Sequence, residues 1–231
     1  MTSIKTYFYL GPKGAKQAAE NGASVVIVVD ALRATSSIVT LFMQGIEAIK
    51  PLTDINTWDG FRIGEFQGKI IPGCALNNSP HTIRQATIKE KVVGLQSTNG
   101  TACILNAKTP ANHVLIGSAL NAKACAQQAC RLALQTQSEI HFILAGRRGK
   151  MADEDHYVAS LIHHHLSHQT KCKSIIQPRF VTNLLQAIQS TPAATRLINL
   201  GTEPDIALCA KENITQYVPK YENTWIRLAQ W

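Results

Sequence analysis

No stretch of this 231-residue sequence approaches the roughly 18 consecutive apolar residues that cross a bilayer, so a membrane-spanning helix is not expected. The opening MTSIKTYFYLGPKG lacks an apolar signal-peptide core followed by small residues, and a cytoplasmic protein is the expectation. The six cysteines (Cys74, Cys103, Cys125, Cys130, Cys172 and Cys209) never fall into a C-x-x-C spacing. That argues against a zinc site or a disulfide framework and for thiols buried in a reducing compartment. The formal net charge is +8, yet there is no dense Lys/Arg block and no aromatic interleaving. Attraction to a small anion fits this better than nucleic-acid binding. A P-loop, a G-x-S-x-G elbow and a Rossmann glycine fingerprint are all missing, as are internal repeats and low-complexity tracts.

What the chain does have is SVVIVVDALRATSS, residues 24–37. Five consecutive branched residues, Val25 to Val29, read as a strand buried on both faces. The strand delivers Asp30 at its carboxyl end, then Arg33. The hydroxyls of Thr35, Ser36 and Ser37 follow at the start of an apolar helical pattern. An acid and an arginine beside a helix N-terminus, at the carboxyl end of a strand, suit an oxyanion.

Along the chain, strands are expected at Ile4–Tyr9 (a candidate edge strand), Ala48–Leu52, Arg62–Phe66, Val92–Leu95, Val114–Ile116 and Ile140–Leu144. Helices are expected at Lys13–Glu20, Ser36–Gln44, from Thr101 through Asn106, at Asn121–Leu134 and at Asp153–His168. Residues 53–60 read as loop or one helical turn, and 67–80 as irregular loop. Pro178–Gly201 and Glu203–Ala210 read as helices, and Gln216–Tyr221 and Thr224–Leu228 as closing strands, the first demoted to an edge by Pro219. This alternation predicts an α/β fold, a three-layer α/β/α arrangement with a mostly parallel or mixed sheet. It fits one domain over residues 1–231, or two closely packed subdomains.

One device recurs. The strands ending at Val29, Leu95, Ile116 and Leu144 each run into a small or hydroxyl-rich turn that opens a helix. On one edge of a parallel sheet, these turns would pool free backbone N–H groups into an anion pocket. Simple helix capping explains any one of them; four together favour a site. The acids placed to serve it are Asp30, Glu65, Glu154 and Asp155. Asp30 is the strongest candidate, because a charge ending a buried strand is costly without a partner. For Glu154 and Asp155 the plain alternative is complementing a helix dipole. His163, His164, His165 and His168 resemble a metal tract but sit late on their helix, and a solvated face is the simpler reading.

These motifs, in this order, resemble the 2-phosphosulfolactate phosphatases, magnesium-dependent enzymes of coenzyme M biosynthesis. Asp30-Ala31-Leu32-Arg33-Ala34-Thr35 is similar to the family's D-V-L-R-A-T. Gly64-Glu65 with Gly68 is similar to its G-E-R-G-G, and Gly73 with Asn78-Ser79-Pro80 to its G-F-D-x-G-N-S-P. Ser97-Thr98-Asn99-Gly100-Thr101 resembles T-T-N-G-T, and Gly117-Ser118 with Asn121-Ala122 resembles G-S-x-x-N-A. Ala145-Gly146, Gly149 and Glu154-Asp155 resemble A-G-x-x-G followed by E-D, and Gly201, Asp205, Cys209-Ala210 and Val218-Pro219 fit the closing segment. The chain departs from the pattern at Phe66, where the family has arginine, and at Cys74-Ala75, where it has phenylalanine and aspartate.

The resemblance implies a phosphoric monoester hydrolase acting on a small anionic phosphorylated acid, using Mg2+. Asp30, Arg33 and Glu65 would be catalytic, and Asp30, Glu154 and Asp155 would hold the metal. Thr35, Ser36, Asn78, Ser79, Thr98, Asn99, Gly100, Thr101, Gly117, Ser118 and Gly146 would contact substrate. Direct attack by water and a phosphoenzyme on Asp30 are both consistent with an acid at that position. A family member that binds an anionic metabolite without turnover is the alternative. Neither nucleic acid nor membrane is an expected partner, and assembly into a homo-oligomer is left open.

Overall fold

The structure, a computed structural model, describes residues 3–109, 112–174 and 178–230. It begins with β1 (Ile4–Leu10) and α1 (Gly11–Glu20), then β2 (Val25–Val29) and α2 (Ala34–Met43). The chain continues through β3 (Ala48–Pro51), β4 (Phe61–Phe66), β5 (Lys69–Ile70) and α3 (Pro80–Gln85). Next come β6 (Val92–Gln96), α4 (Gly100–Ala107), β7 (His113–Gly117), α5 (Ala122–Thr136), β8 (Ile140–Leu144) and α6 (Asp153–Ser167). The last segments are β9 (Cys172–Ser174), α7 (Leu184–Gln189), α8 (Pro192–Asn199), α9 (Pro204–Cys209), β10 (Pro219–Glu222) and β11 (Trp225–Leu228).

The strands form one eleven-stranded mixed sheet, in the order β5-β4-β6-β3-β11-β10-β7-β2-β8-β1-β9. The run at Val25–Val29 sits near the middle of its half, paired in parallel with β7 on one side and β8 on the other. All five residues are fully buried. Strand alternation sends Val25, Ile27 and Val29 into one core with α5 and α6, and Val26 and Val28 into the other with α1, α2 and α4. Each such side chain stabilises the fold by roughly 1.5–3 kcal/mol. Helices therefore cover both faces, and the expected three-layer α/β architecture is borne out.

The sheet consists of two parallel halves. One is β7-β2-β8-β1-β9 and the other β4-β6-β3, with the antiparallel β10–β11 hairpin between them. Three successive antiparallel pairings separate β7 from β3, so the halves run in opposite senses along the ladder. The four helix-opening turns thus do not share one edge of one parallel sheet. The turn after β6 nevertheless meets those after β2 and β8, because the halves bring their carboxyl ends together. Asn99 Nδ2 donates to the Gly146 carbonyl oxygen at 3.0 Å, across the gap between the halves.

Several expectations need correction. Strand β10 is not an edge but lies inside the sheet. Pro219 is its first residue, and pairing with β7 begins only at Lys220, so the missing N–H costs that ladder nothing. Strand β1 is covered by β9, a three-residue strand with too little pattern to be recognised in the sequence. Residues 178–201 are not one helix: α7 ends at Gln189, and Thr191 with Pro192 starts α8 anew, Thr191 Oγ1 accepting from Ala194 N at 3.2 Å. Helix α3 was not anticipated either, although Ser79 caps it and Pro80 opens it.

Candidate active site

The joined carboxyl ends enclose a pocket of about 150 Å³. Asp30 enters it from the end of β2, held by its own turn. Thr35 Oγ1 donates to the Asp30 carbonyl oxygen at 2.9 Å, Asp30 N donates to Thr35 Oγ1 at 3.1 Å, and Ala34 N donates to Asp30 Oδ1 at 3.3 Å. Gly100 packs so closely on the other side that a Cβ there would lie 2.7 Å from Asp30 Oδ2 and 2.5 Å from Ala34 Cβ. Burial pushes the Asp30 carboxyl up to about 7, with the charge of Glu65 adding to it.

Glu65, ending β4, is tied into the turns around it. It accepts from Thr98 N at 2.7 Å, Gly68 N at 2.6 Å and Thr98 Oγ1 at 3.0 Å. It thereby joins the β4–β5 turn to the turn before α4, and lines the pocket with Thr98, Asn99 and Gly68.

Asp155 does comparable work deeper in. Its two oxygens accept from Ala31 N and Gly146 N, each at 2.8 Å, clamping the ends of β2 and β8 together. Burial first, and then the charge of Asp30, raise its carboxyl well above the usual range. Glu154 beside it is buried and also raised, first by burial, against the opposing effect of a hydrogen bond from its own backbone N–H.

Arg33 lines the pocket, but its charge is already met. Its NH1 donates to Asp205 Oδ2 on α9 at 2.7 Å, with both side chains almost fully buried. Asp205 Oδ1 accepts from Ser79 Oγ at 2.6 Å and from His81 N at 3.0 Å. The cations left free to meet a ligand are three that the motifs did not single out: Arg147 and Arg148 after β8, and Arg196 on α8. None makes a side-chain hydrogen bond or ion pair among the described residues, and Arg196 Nε is buried without a partner. A pair of arginines directly after a strand was legible as a signal; Arg196, on a helix remote in sequence, carried none.

The remaining candidates divide clearly. Asn78 lines the pocket, and its buried Oδ1 has no partner among the described residues. Ser36 is occupied with the Ala31 carbonyl, Ser79 with Asp205, and Thr101 with Ser97, all within or beneath the turns. Gly146 adopts φ +61 and has no room for a Cβ, which would lie 2.5 Å from the Lys150 carbonyl oxygen. Gly117 and Ser118 lie outside the pocket lining. Gly117 admits α6 against β2, since a Cβ would meet Ile162 and Ile27, and Ser118 forms a capping box with Asn121. Phe66 and Ala75 are also outside the lining, and Phe66 is 59% exposed.

Among the described residues no three His, Cys, Asp or Glu side chains converge as a metal cage. Magnesium does not require one. It uses one or two carboxylates, other hard oxygens, waters and substrate phosphate. Asp30 and the orphaned Asn78 Oδ1 fit that need; Asp155, with both oxygens engaged by backbone N–H groups, fits it poorly. In the histidine tract, His163 is buried beside Phe142, whereas His164 and His168 are exposed with their Nε2 atoms 3.1 Å apart. All six cysteines are free thiols; Cys74 and Cys172 are only partly buried.

The model of the 2-phosphosulpholactate phosphatase family matches residues 10–224. The chain belongs to that family. A probable 2-phosphosulfolactate phosphatase of Carboxydothermus hydrogenoformans is 32% identical over 94% of this chain and 92% of its own length. Those of Thermotoga maritima (31% identity, 85% of this chain and 88% of the relative) and Thermus thermophilus (29%, 84% and 86%) are similar over nearly as much. The family resemblance drawn from the short motifs is therefore borne out, and with it the placing of the chain among phosphoric monoester hydrolases. Membership runs through both halves of the sheet, so the pocket between them lies wholly inside the family-wide region.

Proposed function

We propose that this protein hydrolyses the phosphomonoester of a small acid, of the 2-phosphosulfolactate type, with Mg2+ at the Asp30 end of the pocket. The observation that carries the reading is a carboxylate sharing one small cavity with three arginines that form no salt bridge among the described residues, next to two helix N-termini. Asp30 and Asn78 would hold the metal through oxygen. The ion would neutralise charge gathering on the phosphoryl oxygens.

The chain's own groups do the rest. The N-terminal turns of α2 and α4 aim backbone N–H groups and positive dipole ends at the phosphoryl group. Glu65 holds the Thr98 turn in place, Asp155 clamps the Ala31 and Gly146 turns, and the arginines draw in and orient the anion. Arg33, neutralised by Asp205, braces the wall instead of binding substrate.

Phosphate release from a panel of phosphorylated carboxylic and sulfonic acids, with and without magnesium, tests this. Turnover that needs magnesium and disappears in Asp30→Asn is expected. Turnover that survives Asp30→Asn or EDTA would sink it.

A further inference from the structure

The histidine tract late on α6 lies outside the pocket lining. His164 and His168 stand one turn apart, His168 at the helix C-cap, and both rings are exposed. Their Nε2 atoms approach to 3.1 Å, with the ring planes at 85°. At that distance the two nitrogens cannot both carry a proton, so at least one presents its lone pair toward the other. A single N–H···N bond between exposed rings gains little over bonds to water. The spacing is also the one that a shared ion imposes. Imidazole nitrogens held about 2.0–2.1 Å from a metal stand about 2.9 Å apart at a right angle and about 3.3 Å apart at the tetrahedral angle. The surroundings suit a cation. The C-terminal end of a helix is the negative end of its dipole, and α6 is a 15-residue helix. Phe180 meets the His164 ring edge-on, with centroids 5.7 Å apart, and limits its rotation. His164 also lines a hollow of about 460 Å³ whose lining includes the acid Glu212.

We propose that His164 and His168 chelate one late first-row divalent ion, of the Ni2+ or Zn2+ class, through their Nε2 atoms, with water completing its coordination. Imidazole nitrogen suits these ions, whereas Mg2+ takes hard oxygen ligands. Two protein ligands at one-turn spacing are enough for a chelate, and no third His, Cys, Asp or Glu converges on them among the described residues. The site is separate from the pocket. His164 is nine residues beyond Asp155 on the same helix, roughly 14 Å further along its axis. The ion links two positions of the last turn and so staples the end of α6 before the chain enters β9. This inference does not depend on the phosphatase reading.

Calorimetric titration of Ni2+ into the full chain, carrying no affinity tag and with Mg2+ in excess throughout, tests it. The wild type should bind one Ni2+ per chain that His164→Ala and His168→Ala each weaken by about a hundred-fold or more, the worth of a second linked ligand. Both rings are exposed, so these variants leave the core intact, and thermal midpoints check that they fold. Nickel taken up elsewhere, at Asp30 or at the partly buried Cys74 and Cys172, is common to all three proteins, so the difference between them reads the histidine pair. His165→Gln separates this pair from the tract as a whole. His165 Nε2 lies 3.1 Å from Asn213 Nδ2, turned to a different partner, and its loss should leave the nickel affinity within about two-fold of wild type. No nickel bound by the wild type, an isotherm unchanged in either alanine variant, or a loss in His165→Gln as large as theirs overturns the site.

Discussion

Arg33 NH1 and Asp205 Oδ2 lie 2.7 Å apart, with side chains 2% and 0% exposed, and join the helix after β2 to α9, 172 residues later in the chain. The pair ties the motif arginine, which also lines the pocket, to α9. Removing one member strands a buried charge, which costs about 3–5 kcal/mol. Asp205→Ala is therefore expected to lower stability by that amount in denaturant titrations. The double variant Arg33→Met with Asp205→Leu should be destabilised by clearly less than the sum of the single changes. Strict additivity would show that the pair is not coupled.

Gly100 is a second point where a small change should be felt. A Cβ there would press on Asp30 Oδ2 itself and on Ala34, whose N–H holds the other oxygen of the acid. Gly100→Ala should cost roughly 1–3 kcal/mol as overpacking. It should also reduce kcat by more than this modest loss of stability explains, because Asp30 must move. An alanine variant with wild-type kcat would mean that the position of Asp30 is not critical.

The pH dependence follows from Asp30. Its carboxyl is held up to about 7 by burial and then by Glu65, so activity that needs it ionised should fall as pH drops through that region. Glu65→Gln removes the neighbouring charge and should shift the acidic limb of the kcat/KM profile to lower pH. A limb that stays in place in this variant would argue against the Asp30 assignment.

The same shift has a stability consequence of the opposite sense. An acid whose pKa is higher folded than unfolded favours the native state while protonated. That contribution is fully present below the unfolded value near 3.8 and is lost as pH rises toward about 7. Asp30→Asn should therefore gain in thermal midpoint relative to wild type at pH 8 and lose that advantage near pH 4. An equal difference at both pH values would contradict the raised carboxyl.

Magnesium should itself raise the midpoint, since a ligand that binds only the native state stabilises it. The rise should be largest at high pH, where the cation relieves the crowded carboxylates, and absent in Asp30→Asn. A magnesium-induced shift that persists in Asp30→Asn would place the ion elsewhere.

Sequence alone determined the local devices. Five branched residues made β2 a doubly buried strand, because at every position an apolar side chain meets a core on one face or the other. The residues after it had to be a turn and a helix start, which put Asp30 at a strand end whatever the fold. The Thr98-Asn99-Gly100 and Ala145-Gly146 turns were legible for the same reason: their chemistry is set by neighbours a few residues away.

Tertiary structure decided what those devices do. No local pattern shows that the two halves of the sheet run in opposite senses and meet at their carboxyl ends, since that depends on a hairpin closing the chain more than 100 residues later. Pairing with α9 neutralised Arg33, and the docking of α8 supplied Arg196. Pro219 could sit inside the sheet because its lost N–H fell before the ladder with β7. Charge and hydrogen-bonding capacity are properties of residues, but which of them remain unspent is settled only when distant segments have taken their partners.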